Sequence, residues 1–270
     1  MRRLVALATS VVFAASMAGG AVAAPLSTVA HAPRISLPTP KTGNGHGNGH
    51  SHGGHGGGGG YGWASSNWSG YAVTGSGFTS VTGSWTVPSV APSRGNTYSA
   101  SWVGIDGFNN SSLIQTGTGQ DYVSGRATYY AWWEILPAAE TQITTFAVQP
   151  GDQMSATISK GAGSQWTITI ADTTQRESFS TTQSYSGPGT SAEWIEEAPT
   201  VGGRIATLAN YGATTFDPGT VNGGNPGLTI SDGGVMIQNR VQVSTPSRPD
   251  NDTDGFNMAY GSTAPSPPGS

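Results

Sequence analysis

The chain has 270 residues, with no cysteine, 41 glycines, 17 prolines and only 10% charged side chains. The lack of cysteine excludes a disulfide scaffold and thiol chemistry, so the fold must be stabilised by its core. From Tyr61 onward one lysine and six arginines face 15 carboxylates, a formal charge of −8, which argues against a nucleic-acid partner.

Met1-Arg2-Arg3, an apolar run from Leu4 to Ala18 and the small residues Ala21-Val22-Ala23 have the layout of a secretory signal peptide, assigned to residues 1–23. The run is short for a span and is broken by Thr9-Ser10, so no membrane association is expected and the mature chain is expected to be secreted and extracellular. Residues 24–60 combine scattered prolines with a Gly/His tract and are expected to form a flexible leader or pro-segment. The tract's histidines suit metal binding or, more simply, a solvated linker that gains charge in acid. With Arg34, Lys41 and five histidines positive in acid, this segment would complement the acidic domain and cover its cleft until removed.

Beyond Tyr61 the texture changes to short runs rich in Val, Ile, Thr, Tyr and Trp, broken by turn residues every 8 to 12 positions or so. Predicted strands run over 68–73, 81–87, 98–105, 112–116, 128–135, 142–148, 153–159, 165–171, 176–182, 192–197, 206–208, 213–216, 235–243 and 255–259. So many short strands within residues 61–261 predict an all-β sandwich of two packed antiparallel sheets. Residues 262–270 are a Pro/Ser tail.

His31, His46, His50, His52 and His55 all precede this domain. Ser-His-Asp chemistry, Cys-His chemistry and histidine-ligated zinc are thereby removed from it. Lys160, the one lysine, precedes Gly161-Ala162-Gly163 and reads as a turn residue. Carboxylates and amides remain. In Tyr130-Ala131-Trp132-Trp133-Glu134 the period-two alternation puts Tyr130, Trp132 and Glu134 on one face; in Glu193-Trp194-Ile195-Glu196-Glu197 it groups Glu193, Ile195 and Glu197. A carboxylate among aromatic rings has a raised pKa suited to proton transfer; a half-exposed strand glutamate that keeps an edge soluble is the plainer reading. Residues 102–107 and 113–117 read as a hairpin, with Leu113, Gln115 and Gly117 on one face. A buried Gln amide either bonds within the sheet or serves a developing oxyanion.

Asn67-Trp68-Ser69-Gly70-Tyr71, Gly83-Ser84-Trp85-Thr86-Val87-Pro88, Trp102-Val103-Gly104-Ile105-Asp106-Gly107, Ile114-Gln115-Thr116-Gly117, Ala131-Trp132-Trp133-Glu134 and Ala192-Glu193-Trp194-Ile195-Glu196-Glu197 together resemble, in order, the glutamic peptidases (eqolisins). The resemblance implies a concanavalin-like sandwich whose concave face carries Gln115 and Glu197 as the catalytic pair, with Trp102, Asp106, Trp132, Glu134 and Glu193 lining or supporting the site. It further implies a pepstatin-insensitive acid endopeptidase acting on polypeptide substrates, with Glu197 as general base and Gln115 as oxyanion stabiliser; a monomer is expected. No covalent intermediate, cofactor or metal is implied. The chain departs from the family in lacking cysteines, in placing Thr118-Gly119-Gln120 before Asp121, and in carrying Tyr130 ahead of Ala131-Trp132. A sandwich with Glu134 and Glu193 or Glu197 flanking a sugar, as in glycoside hydrolases, and a non-catalytic carbohydrate-binding module are the alternatives. Asn67-Trp68-Ser69 and Asn251-Asp252-Thr253 fit the glycosylation pattern.

Overall fold

The protein is described by a computed structural model covering residues 28–39 and 60–270. The assigned signal peptide and the histidines at 46, 50, 52 and 55 lie outside the described residues. Nineteen strands follow in chain order: β1 (Val29–Ala30), β2 (Ser36–Leu37), β3 (Trp63–Ser65), β4 (Trp68–Thr74), β5 (Ser80–Thr86), β6 (Ala100–Asp106), β7 (Leu113–Val123), β8 (Arg126–Ile135), β9 (Thr141–Ile143), β10 (Gln153–Lys160), β11 (Gln165–Asp172), β12 (Glu177–Ser184), β13 (Ser191–Glu197), β14 (Thr200–Val201), β15 (Arg204–Ile205), β16 (Ala213–Val221), β17 (Gly233–Gln238), β18 (Val241–Pro246) and β19 (Phe256–Tyr260). A single turn of 3-10 helix, Ile230–Asp232, is the only helix among the described residues.

Fourteen of the strands hydrogen-bond in one continuous order, β12-β11-β10-β5-β16-β19-β18-β17-β4-β13-β6-β7-β8-β9, which doubles over on itself; β2 and β3 attach to it at β17, and β1, β14 and β15 form a small separate sheet. β5 and β10 pack face to face on β6, and β10 and β11 on β7, so the two halves form the predicted sandwich. Between them lies the main core, with Trp85, Val103, Ile105, Ile114, Ile158, Ile168, Trp194 and Phe216 all buried. Trp194 needs close backbone on the opposing sheet: a Cβ at Gly83 would stand 2.7 Å from its ring, as would one at Gly219. That explains two glycines within strands, where glycine otherwise weakens pairing.

Three departures from the predicted elements have local causes. Residues 235–243 are not one strand but the hairpin β17–β18, because Asn239 and Arg240 both take positive φ (51° and 65°), the conformation of a two-residue hairpin turn. The strand predicted over 142–148 stops at Ile143, where pairing with β8 ends. Residues 206–208 form no strand; Leu208 makes only an isolated bridge with Tyr98.

The segment expected to be a flexible leader is ordered over residues 28–39. β1 pairs with β14, and β2 with β3. Two short β-prone stretches, Val29-Ala30 and Ile35-Ser36-Leu37, pair with the edges of β14 and β3, which supply their backbone partners.

Candidate active site

Because β13 lies between β4 and β6, and β6–β7–β8 follow as antiparallel neighbours, the face turned away from the main core is built in rows. One row reads Trp68, Glu197, Ala100, Gly119, Tyr130; the next Gly70, Ile195, Trp102, Gly117, Trp132; the third Ala72, Glu193, Gly104, Gln115, Glu134. The alternation predicted for Gln115, Glu134, Glu193 and Glu197 therefore places all four on one face. Gly104 leaves room for the Trp102 indole to lie along the sheet, since a Cβ there would be 2.7 Å from its ring, and Gly117 lets its strand close on the Ser101–Trp102 backbone. Trp68 meets Trp102 edge-on at 4.8 Å. So held, Trp102 donates Nε1–H to Glu197 Oε2 at 2.9 Å.

Glu197, Gln115 and Glu134 have no solvent exposure, because the chain's own residues 31–35 lie across them. His31 stacks on Trp132 with ring centroids 3.7 Å apart and an angle of 15°. Its Nδ1 is 2.9 Å from Glu197 Oε2 and its Nε2 3.2 Å from Glu140 Oε2. The His31 backbone N–H donates to the Glu134 carboxylate at 3.2 Å, and Ala32 N–H to Glu197 Oε1 at 3.2 Å. Gln115 Nε2 donates to Glu134 Oε2 at 2.7 Å. One chain of contacts thus runs from Glu197 through His31 and Glu134 to Gln115. Asn67 fixes the crossing strand by donating to the Ala32 and Pro33 carbonyls and accepting from Ile35 N–H. That buried side chain, 1% exposed, is unsuited to glycosylation, contrary to the sequence pattern. Further along, Arg34 Cζ sits 3.9 Å over the Phe108 ring.

Burial opposes charge on His31, yet Glu197 beside it and hydrogen bonds to Glu140 and Glu197 outweigh that effect and raise its pKa to about 10. Burial raises Glu134 to about 7, against the lowering effect of His31. Burial also raises Asp121 to about 7, with the Glu140 charge adding to it; the Tyr130 hydroxyl donates to Asp121 at 3.2 Å. Glu193 and Glu196, both fully buried, are raised well above the carboxylate range by burial.

Not every predicted residue joins this cluster. Trp102, Gln115, Trp132, Glu134 and Glu197 do. Glu193 lies past Gly104 and makes no hydrogen bond through its carboxylate among the described residues. Asp106 sits at positive φ (74°) and accepts from Asn110, Tyr185, Gly189 and Thr190, so it ties the 185–190 loop to the end of β6. Two members of the cluster, His31 and Glu140, escape the sequence reading. His31 falls in the segment expected to be a leader, and its only sequence signal is the β-prone Val29-Ala30 just before it.

The four raised carboxyls give a stability prediction. Each carries more proton folded than unfolded, so its stabilising effect is present below the ordinary carboxylate range and is lost as pH rises through the raised value, near 7 for Glu134 and Asp121. Each tenfold gain in proton affinity on folding is worth about 1.4 kcal/mol, so the fold should be several kcal/mol more stable at about pH 5 than at about pH 8. Calorimetry should record a melting temperature roughly 10 °C or more higher at the lower pH; a flat or reversed dependence would show that these carboxyls ionise freely.

Residues 66–256 match the model of the Peptidase A4 family. The chain belongs to that family. It is 33% identical over 196 residues to aspergillopepsin-2 of Aspergillus niger, covering 64% of this chain and 70% of the relative. It is 35% identical over 137 residues to scytalidopepsin B of Scytalidium lignicola, covering 49% of this chain and 51% of that relative, so only about half the latter's length is spanned. The fold matches the crystal structure of scytalido-glutamic peptidase with a transition state analog inhibitor at a TM-score of 0.63 and 23% identity, covering 72% of this chain and 98% of the other. Among the sequence readings, membership of this glutamic peptidase (eqolisin) family selects the peptidase over the glycoside hydrolase and the sugar-binding module.

Proposed function

We propose that the protein is a secreted acid endopeptidase in which Glu197 and Gln115 are the catalytic pair and residues 28–39 are an inhibitory part of its pro-segment. The observation that carries this reading is that the face bearing this pair already binds a polypeptide: residues 31–35 cross it with backbone N–H groups on Glu197 and Glu134 and carbonyls held by Asn67.

In the open enzyme the scissile peptide takes the place of that segment. Glu197, oriented by Trp102 Nε1–H, removes a proton from a water lying between it and Gln115. The hydroxide adds to the scissile carbonyl, the Gln115 amide N–H stabilises the oxyanion, and Glu197 returns the proton to the departing amine. Gln115 Oε1 is buried and accepts no hydrogen bond among the described residues; a bound water would satisfy it. Protonated in acid, Glu134 limits the negative charge around Glu197 and leaves the Gln115 amide free to turn from it to the oxyanion.

The test is digestion of denatured protein at about pH 3.5 with pepstatin present. Cleavage is expected to continue, and Gln115→Ala is expected to lower kcat on the order of 10²–10³-fold, the loss typical of one oxyanion donor. Full inhibition by pepstatin, or undiminished turnover in Gln115→Ala, would defeat the assignment.

A further inference from the structure

We infer that the turn between β18 and β19, together with β16, forms a calcium-binding site remote from the peptidase chemistry. One carboxylate oxygen from each of Asp217, Asp250 and Asp254 lies within 4.8 Å of the others. Oxygens on one calcium, each bonded at about 2.3–2.6 Å, stand no further apart than about 5 Å. Asp217 comes from β16, the other two from the turn, so the cluster ties two elements.

The second observation is Asp250 itself. It is only 6% exposed, and its Oδ2 is fully buried with no hydrogen-bond partner among the described residues. That oxygen and the Asp217 carboxylate open onto the same space beside Gly255: a Cβ placed there would be 2.5 Å from Asp250 Oδ2 and 2.7 Å from Asp217 Cγ. A buried carboxylate oxygen beside a second carboxylate is costly unless a cation lies between them. Asp254 Oδ1 is likewise buried and unpartnered among the described residues.

Asp250-Asn251-Asp252-Thr253-Asp254-Gly255 places acids at alternate positions ahead of a glycine, the spacing at which calcium loops present oxygen ligands from one tight turn. Here Asp217 supplies, from a neighbouring strand, the further carboxylate that such loops take from their own C-terminal end. Hard oxygen ligands alone select calcium or magnesium over zinc or copper. An acid-rich, irregular cage suits calcium over magnesium, which demands near-ideal octahedral geometry and retains its waters. The family resemblance implies no metal in the chemistry; this one is structural.

The test is thermal unfolding of the full chain at about pH 7 in EDTA, in about 10 mM calcium chloride and in about 10 mM magnesium chloride. Calcium should raise the melting temperature by roughly 5–10 °C, as expected for a ligand near 100 times its Kd, and magnesium by less than half of that. Asp217→Asn and Asp254→Asn should each melt in EDTA no lower than wild type, since each removes one of the crowded charges, and should lose the calcium shift. The two positions lie on different elements, so if one variant does not fold the other still decides. Calorimetric titration of wild type with calcium chloride should give one site with Kd around 10⁻⁴ M, the tighter end of the range for extracellular modules. Absence of binding heat, an equal magnesium shift, or a calcium shift that persists in a folded variant would overturn the site.

Discussion

Glu197→Gln should abolish peptide hydrolysis, lowering kcat on the order of 10²–10⁴-fold at acid pH, the range attributed to a positioned general acid and base. The substitution is nearly isosteric, and the amide oxygen still accepts from Trp102 Nε1, whose ring is fixed by Trp68 on one side and the glycine-lined sheet below. What it removes is the capacity to take and return a proton. Because Gln at this position also discharges the partner of His31, both proteins should be compared after wild-type enzyme has removed their leaders, with substrate turnover as the readout. Activity within about tenfold of wild type would show that another group carries the proton.

His31→Ala should open the full-length chain. In the wild type His31 is pinned by Glu197, Glu140, the Glu134 carboxylate and the face of Trp132, so the candidate pair is covered in the full-length chain. Truncating one member of a buried ion pair commonly costs about 3–5 kcal/mol, which corresponds to an increase in the open fraction on the order of 10²-fold or more. The pH dependence follows from the direction of the shift. A histidine raised to about 10 contributes its full stabilisation below its ordinary value near 6.5 and loses it as pH rises through 10. Acid therefore does not release His31 by changing its own charge; it weakens the hold by protonating Glu134, which burial raises to about 7 and which accepts from the His31 backbone. Full-length wild type should show a lag in acid before fluorogenic peptide is cut, lengthening towards neutral pH, and His31→Ala should show little or none. Equal lags would show that the segment is held by its backbone contacts to Asn67, β3 and β14 alone.

The face that carries Gln115, Glu134, Glu193 and Glu197 is legible in the sequence because strand alternation is local: once β6, β7, β8 and β13 are recognised, side-chain direction follows from parity. The composition likewise announces an all-β sandwich. What stays hidden depends on distant partners or on backbone states that residue type does not force. His31 reaches Glu134, Glu140 and Glu197 over 103, 109 and 166 residues, and no local pattern marks such a contact. The β17–β18 turn uses Asn239-Arg240 rather than a glycine pair, so its strands read as one run. Asp106 reads as a site residue because it follows Trp102 in a matching stretch, whereas its positive φ directs it into the 185–190 loop. In the acidic turn at 250–255 the sequence shows the alternate acids but not their partner, since Asp217 joins them through the pairing of β16 with β19.

The central claim is that Gln115 and Glu197 act together on a single water, and a double-mutant cycle tests it most directly. With leaders removed, turnover at about pH 3.5 is measured for wild type, Gln115→Ala, Glu197→Gln and the double variant. Residues that serve the same step lose most of their joint effect when either is removed. The double variant is therefore predicted to fall no more than about tenfold below Glu197→Gln alone. Losses that multiply in full would contradict the shared role, as would a Glu197→Gln enzyme that still turns over like wild type.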